Sequence, residues 1–133
     1  MKTPRPVAAA LGCATLIVMC LSGAGAAEAS TATDAYYGCP AGAVCVYGQD
    51  PAKEPAGPPD PNRITNIYYS YGAHNLSNQY GYHWVANNQT GGSNATFDVC
   101  RGYNGVDCTF GGIPRVAWHV DLTPINSIVL NRP

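Results

Sequence analysis

The stretch FDVCRGYNGVDC, residues 97–108, joins a strand-like start to a small ring closed by two cysteines. Phe97 and Val99 alternate with polar residues, which is the pattern of a half-buried β-strand. Cys100 and Cys108 then enclose RGYNGVD, whose two glycines and one asparagine tolerate the left-handed backbone of a tight turn. If the cysteines are joined, the loop is rigid and faces solvent at the end of a strand. Such a loop loses little entropy on binding, so it is the first candidate for a functional site.

Residues 1–27 have the features of a secretory signal peptide and are predicted to be removed. The segment starts with basic residues, continues as an apolar run over Val7–Leu21 and ends in small residues typical of a cleavage site. A retained membrane anchor is the less favoured alternative, because the apolar run is short. We therefore expect a secreted, extracellular protein with a flexible leader at residues 28–38 and one domain at residues 39–133.

The composition of the mature chain favours an all-β fold. Without residues 1–27, five basic side chains oppose eight acidic ones, which gives a net charge of −3. No basic block remains to hold phosphate groups, so nucleic acid is not expected as a partner. Charged residues are scarce, while Tyr, Asn, Gly, Thr and Val are frequent, and this composition favours strands and turns over helices.

The four cysteines of the mature chain form two close pairs, Cys39 with Cys45 and Cys100 with Cys108. In an exported chain this arrangement predicts two disulfides. Three pairings are compatible with the sequence, and proximity favours the two local rings. Each small ring is expected to contribute roughly 2–3 kcal/mol to stability. A zinc site is the alternative, but the intervals between these cysteines exceed the usual C-x2–4-C spacing.

The strand pattern divides the mature chain into two similar halves. Besides the strand that starts at Phe97, strands are predicted at Val44–Tyr47, Ile64–Tyr71, Tyr82–Asn88 and Ser127–Leu130. The proline-rich segment Gln49–Asn62 is expected to be an exposed loop, and Gly72–Gly81 to be rich in turns. Two similar β units predict a pair of Greek keys packed as a small sandwich, and an unrelated all-β barrel is the alternative.

Several segments resemble a known family. The sequence CPAGAVC at residues 39–45 resembles the CP-x-G-x-x-C opening of small secreted bacterial peptidase inhibitors, the metallopeptidase-inhibitor family with a βγ-crystallin-like fold. Residues 74–81, 87–91 and 120–128 are similar to segments of the same family, as is the cysteine ring. Within that ring, YNG matches the aromatic-x-Gly corner of βγ-crystallin motifs. The resemblance implies a βγ-crystallin-like sandwich stapled by two local disulfides, and inhibition of an extracellular metallopeptidase.

A disulfide-bracketed loop is able to occupy a peptidase cleft like a substrate while its rigidity resists release. The predicted inhibitory residues lie inside the second ring: Arg101, Gly102, Tyr103, Asn104, Gly105, Val106 and Asp107. Arg101, Tyr103 and Val106 carry the side chains large enough to fill pockets. Thermolysin-like enzymes favour a bulky apolar residue after the scissile bond, and here Arg101 follows Cys100, so that subclass fits poorly. The alternative is a ring that only staples a hairpin.

Neither a metal site nor a catalytic site is expected. The calcium pattern of βγ-crystallins needs an Asp/Asn pair, which the window LTPINS at residues 122–127 lacks, and only Asp121 is nearby. The three histidines do not form H-E-x-x-H, and no G-x-S-x-G is present. Asp98, Asp107 and Asp121 are predicted to be turn formers rather than paired glycosidase carboxylates.

These observations predict a monomeric protein that is not an enzyme, needs no cofactor and has an extracellular peptidase as its partner, with no membrane contact after signal cleavage. The alternative function is a non-inhibitory extracellular βγ-crystallin-like binding module, or a killer-toxin-like one. Six aromatic residues between Tyr68 and Trp84 allow a second kind of site, because an exposed Tyr/Trp strip suits carbohydrate or a protein partner. Core packing is the favoured interpretation of this cluster.

Overall fold

The computed structural model describes residues 34–49 and 57–133 of the chain. The predicted signal peptide at residues 1–27 and the first part of the predicted leader lie outside these residues. The strands of the described part are β1 (Ala43–Tyr47), β2 (Ile64–Tyr68), β3 (Gly72–Asn75), β4 (Tyr82–Asn88), β5 (Phe97–Cys100), β6 (Cys108–Gly112), β7 (Val116–Asp121) and β8 (Ser127–Leu130). Short 3-10 helices occupy Pro61–Arg63 and Gly92–Asn94. Within the described residues, none of the helices has the length and apolar character needed to cross a membrane.

The eight strands form two antiparallel sheets of four strands each. Sheet one has the strand order β2-β1-β4-β7, and sheet two has the order β3-β8-β5-β6. The first half of the chain, β1 to β4, gives its third strand to sheet two. The second half, β5 to β8, gives its third strand to sheet one. The predicted all-β class is confirmed, and the two halves exchange equivalent strands.

The four central strands of the sheets agree with the sequence predictions, and the edges differ. Tyr82–Asn88 and Ser127–Leu130 have their predicted limits. The predicted strand Ile64–Tyr71 ends at Tyr68, because the chain crosses there from sheet one to sheet two. The prediction for Gly72–Gly81 is wrong at its start, where β3 forms the edge of sheet two. Strands β6 and β7 lie where no strand is predicted.

An apolar core fills the space between the two sheets. Its buried members come from both sheets and from the connections between them: Val44, Val46, Leu76, Val85, Phe97, Leu122, Ile128 and Leu130. The alternation of side chains along each strand brings these residues to the inner faces. Full burial of one such large side chain contributes about 1.5–3 kcal/mol relative to exposure. The core therefore depends on both halves of the chain.

A second apolar cluster covers the outer face of sheet one. Cys39, Cys45 and Tyr47 are buried there, and the disulfide between Cys39 and Cys45 confirms the predicted local pairing. The preceding residues, predicted as part of a flexible leader, are fastened to this face. Tyr36 and Cys39 exchange backbone hydrogen bonds of 2.9 Å, and the hydroxyl of Tyr47 donates to the carbonyl of Tyr37 over 3.0 Å. The folded unit thus includes residues ahead of Cys39.

The proline-rich segment Gln49–Asn62 is described only at its two ends. Residues 57 and 58 are exposed, as predicted for a loop, whereas Pro59 is buried. Asp60 caps the 3-10 helix that follows by accepting a hydrogen bond from the backbone N–H of Asn62 over 3.0 Å. The described end of the loop is therefore anchored next to β2.

Candidate functional site

The disulfide between Cys100 and Cys108 closes a hairpin, and it confirms the second predicted pairing. Cys100 is the last residue of β5, Cys108 is the first residue of β6, and the two lie directly opposite each other with Cα atoms 3.9 Å apart. Inside the ring, the N–H of Arg101 donates to the carbonyl of Asp107 over 3.0 Å, and the N–H of Gly102 to the carbonyl of Val106 over 2.8 Å. The ladder between the strands therefore continues into the ring.

At the tip of the hairpin, Asn104 and Gly105 take the predicted left-handed conformation, whereas Gly102 does not. Asn104 and Gly105 have φ of 57° and 76°, in the left-handed region. Asp107 also has a positive φ, of 57°, which the sequence does not predict. Gly102 is required for space instead, because a Cβ there would lie 2.7 Å from the Cβ of Val106. The ring is thus a compact turn rather than an extended loop.

Side chains from outside the ring hold it in place. The hydroxyl of Ser127 donates to the carbonyl of Gly102 over 2.6 Å and accepts from the N–H of Gly105 over 3.1 Å. The amide of Asn75 accepts from the N–H of Asn104 over 2.7 Å and donates back to its side-chain oxygen over 3.0 Å. These bonds connect the hairpin to β3 and β8, so the tip is fixed on the end of sheet two.

Asn126 adds two further bonds to the ring. Its backbone N–H donates to the carbonyl of Cys100 over 2.9 Å, and its side-chain amide donates to the carbonyl of Arg101. No motif in the sequence assigns Asn75, Asn126 or Ser127 to the site. The available signal was their position within residues 74–81 and 120–128, the segments that resemble the inhibitor family.

All seven predicted inhibitory residues lie in this one hairpin, and several of their side chains face solvent. Tyr103 is 57% exposed and Val106 is 60% exposed, and the side chains of Arg101 and Asp107 are exposed as well. Since the amides of Arg101 and Gly102 bond across the ring, a partner meets the side chains rather than free backbone N–H groups at these two positions. The arrangement suits contact with the pockets of another protein.

A polar groove lies beside the ring and has a volume of about 180 Å³. Residues 76–80 form one wall, Tyr103 contributes from the ring, and Thr123, Ile125 and Asn126 form the remainder. None of these lining residues is a Lys, Arg, His, Asp or Glu. The groove brings amide, hydroxyl and tyrosine side chains together, and no sequence motif predicts a site at Thr123 or residues 76–79.

Hydrogen bonds between the two walls fix the shape of the polar groove. The hydroxyl of Thr123 accepts from the N–H of Gly81 over 2.8 Å, and the N–H of Leu122 donates to the carbonyl of Gly81 over 2.9 Å. The imidazole of the buried His83 lies with Nε2 3.0 Å from the carbonyl of Tyr80 and Nδ1 2.7 Å from that of Tyr47. The segment that carries Tyr80 is therefore tied to the sandwich on both sides.

The aromatic cluster between Tyr68 and Trp84 is divided between the core and the surface. Tyr68 packs against the inner core and Trp84 against the outer cluster of sheet one, so core packing is confirmed for these two residues. Core packing is wrong for the other four, which are exposed: Tyr69, Tyr71, Tyr80 and Tyr82. Trp84 and Tyr82 both lie close to His119, whose ring centroid is 4.9 Å and 5.3 Å from theirs, respectively.

Asp121, the one carboxylate near the calcium-type window, is engaged by its own turn. Hydrogen bonds from Thr123 lower the pKa of Asp121 below its ordinary value, and one of these is the backbone N–H of Thr123 at 2.9 Å. In the part of the chain that the structure describes, no three His, Cys, Asp or Glu side chains are close enough to hold a metal ion together. Asp121 thus acts as a turn former, as its sequence context predicts.

Comparison with known proteins gives no match for this chain. No protein-family model matches it, and neither a curated protein nor a solved structure does. The resemblance of residues 39–45 to a peptidase-inhibitor opening therefore stays a prediction.

Proposed function

We propose that the protein is a secreted inhibitor of an extracellular peptidase, with metallopeptidases as the first class to test, and that the ring from Cys100 to Cys108 is the contact surface. One observation carries the proposal. The ring is closed by a disulfide and held from outside by Asn75, Asn126 and Ser127, while Tyr103 and Val106 project into solvent. A surface ordered in advance loses little entropy when a partner binds. The two disulfides also fit an oxidising, extracellular compartment.

The proposal includes the fold type, two Greek keys arranged as in βγ-crystallins. The support is the exchange of the third strand between the halves, which leaves β3 in sheet two and β7 in sheet one. A further support is the tip sequence YNG, in which Asn104 and Gly105 take the left-handed conformations of a folded corner. Ser127 of the same half bonds that corner, so β8 and the corner of the second half are directly connected.

Inhibition would act through side chains inserted beside the peptidase cleft. Arg101, Tyr103 and Val106 provide one cationic, one aromatic and one aliphatic anchor. The bonds from Arg101 to Asp107 and from Gly102 to Val106 oppose opening of the turn into an extended substrate. The ring then occupies the entrance while its peptide bonds stay out of reach of the catalytic groups. No catalytic residue and no cofactor of this chain takes part.

The test is a panel of secreted metallo- and serine peptidases assayed with the purified protein and its variants. Tyr103→Ala is expected to weaken inhibition by about 2 kcal/mol, or roughly thirtyfold, because an anchor buried in the complex is lost. Tyr69→Ala is the matched control, since both tyrosines are 57% exposed and only Tyr103 lies in the ring. Equal inhibition by the two variants would show that the ring is not part of the contact surface.

Opening the ring gives a second, independent measurement. The double variant Cys100→Ser with Cys108→Ser is expected to keep its fold, because the inter-strand bonds and the bonds from Ser127 remain, and to inhibit more weakly than Tyr103→Ala. Unchanged inhibition in the folded double variant would show that the contact surface lies outside the ring. If no peptidase of the panel is inhibited, the non-inhibitory binding module is the better description, and the polar groove favours it.

A further inference from the structure

The polar groove beside the ring has the chemical features of a ligand site that shares only Tyr103 with the proposed inhibitory anchors. Tyr80 is 66% exposed, and its backbone carbonyl lies 3.0 Å from Nε2 of His83. Tyr103 contributes a second phenol from the ring. Each tyrosine side chain offers a flat apolar face and a hydroxyl at its edge, a combination that suits ligands with both C–H faces and hydroxyl groups.

The polar side chains of the groove retain hydrogen-bonding capacity. Within the described part of the chain, the amide of Asn78 and the hydroxyls of Ser77, Tyr80 and Tyr103 make no hydrogen bond to the protein. An amide donates and accepts at the same time, and so does a hydroxyl, which matches the paired donor and acceptor character of sugar hydroxyls. Thr123, by contrast, already accepts from Gly81 and is part of the scaffold.

The charge of the groove restricts the class of ligand. Its lining contains no cation for a phosphate or carboxylate and no anion for an amine. Its volume of about 180 Å³ is small for a drug-sized ligand and leaves room for a single sugar ring of a longer chain. We propose that the polar groove binds one residue of a neutral saccharide, with Tyr80 and Tyr103 against the sugar faces and Asn78 and Ser77 on its hydroxyls. This binding goes beyond peptidase inhibition, and its surface overlaps the inhibitory ring at Tyr103.

The test is a titration of the isotope-labelled protein with three neutral tetrasaccharides, namely cellotetraose, fully N-acetylated chitotetraose and mannotetraose, followed by backbone amide NMR. At least one is expected to shift the amides of residues 76–80, Tyr103, Thr123, Ile125 and Asn126, and to leave the amides of β2 unchanged. Tyr80→Ala should weaken that binding by about tenfold. Tyr69→Ala, an exposed tyrosine outside the groove, should leave it unchanged.

A second variant distinguishes a lost ligand contact from a change in folding. Asn78 has a positive φ of 56°, so Asn78→Gly keeps the backbone conformation while removing the amide, and it should weaken binding several-fold. No localised shift with any of the three saccharides would overturn the proposal, and so would unchanged binding by the Tyr80 variant. Tyr80 lies outside the ring, so its replacement should leave peptidase inhibition intact. For the unmodified protein, saccharide binding without inhibition of any peptidase would contradict only the inhibitor proposal, and inhibition without binding of any of the three saccharides would contradict only this one.

Discussion

Tyr47 shows how one buried residue connects the pieces of sheet one. It is the last residue of β1 and is almost fully buried in the outer cluster. Its hydroxyl donates to the carbonyl of Tyr37, and its own carbonyl lies 2.7 Å from Nδ1 of His83. Burial raises the pKa of Tyr47 to about 12, from 10.0 for an ordinary tyrosine. The phenol therefore stays protonated in the folded protein at pH values where the unfolded chain loses the proton.

The raised pKa of Tyr47 predicts a loss of stability at high pH. Because the folded state binds the proton more tightly, the free energy of unfolding should fall as pH rises from 10.0 toward about 12, by up to about 1.4 kcal/mol per pH unit. Tyr47→Phe should be about 1 kcal/mol less stable near neutral pH, since one hydrogen bond is lost. The free energy of unfolding of Tyr47→Phe should also fall less between pH 10.0 and about 12, because the variant has no phenol at this position. Urea unfolding of both proteins across that range measures the difference, and parallel pH profiles would contradict the prediction.

The end of β4 holds a set of buried amides that join separate elements. Asn87 donates to the carbonyls of Ala95 and Gly112 over 2.9 Å and 3.3 Å, and its oxygen accepts from the N–H of Gln89 over 2.9 Å. Asn88 donates to the carbonyl of Cys39 over 2.8 Å. Strand β4 is thus bonded through side chains to β6, to the connection before β5 and to the first disulfide ring.

Replacement of Asn87 is expected to be among the most destabilising single changes in this chain. Asn87→Ala leaves two buried carbonyls and one buried N–H without this partner, so we expect a loss on the order of 3 kcal/mol in the free energy of unfolding. Asn94→Ala, at an exposed position of the same connection, should change it by less than about 0.5 kcal/mol. Chemical denaturation of both variants checks the prediction, and a similar small effect for both would contradict it.

The strands that the sequence predicts well are those at the centres of the sheets. Strands β1, β4, β5 and β8 have neighbours on both sides, so their apolar residues are dense and stand out in the sequence. Edge strands carry weaker patterns: β3 is mostly exposed, and β6 contains two glycines. A glycine weakens the strand pattern of β6, but Gly111 is required by packing, because a Cβ there would collide with the ring of Phe97.

The candidate site follows from the sequence only in its local part. The spacing of Cys100 and Cys108 and the residues of the tip are enough to predict a closed, tight turn. The bonds from Asn75 and Ser127 join residues 29 and 22 positions apart in the chain, so no local pattern indicates them. The polar groove likewise combines residues 76–80 with Tyr103 and Thr123, which become neighbours only when the two sheets pack.

At the scale of the whole molecule, the exchange of strands makes the two halves dependent on each other. Without the second half, β4 has lost β7, and β3 has lost the strand with which it pairs. The core between the sheets is likewise shared, since Val44 and Val85 of the first half pack with Phe97 and Ile128 of the second. Each disulfide, however, lies within one half.

This dependence predicts that the chain can be divided into complementary fragments. A cut between Thr90 and Gly91, in an exposed connection, should give two fragments that each keep their disulfide but show no cooperative unfolding alone. Mixed in equal amounts, they should recover the β-type circular dichroism and a single cooperative transition. If either fragment unfolds cooperatively by itself, the halves are independent domains and the prediction fails.

The position of β8 has a consequence for the time at which the protein folds during its synthesis. Strand β8 is the last strand in the chain, yet it lies inside sheet two between β3 and β5. A nascent chain that has not reached Ser127–Leu130 therefore holds β3 and β5 with an empty position between them, and the hairpin ring lacks Ser127. Sheet two therefore closes only after Ser127–Leu130 has been synthesised, and until then β3 and β5 lack the strand that lies between them.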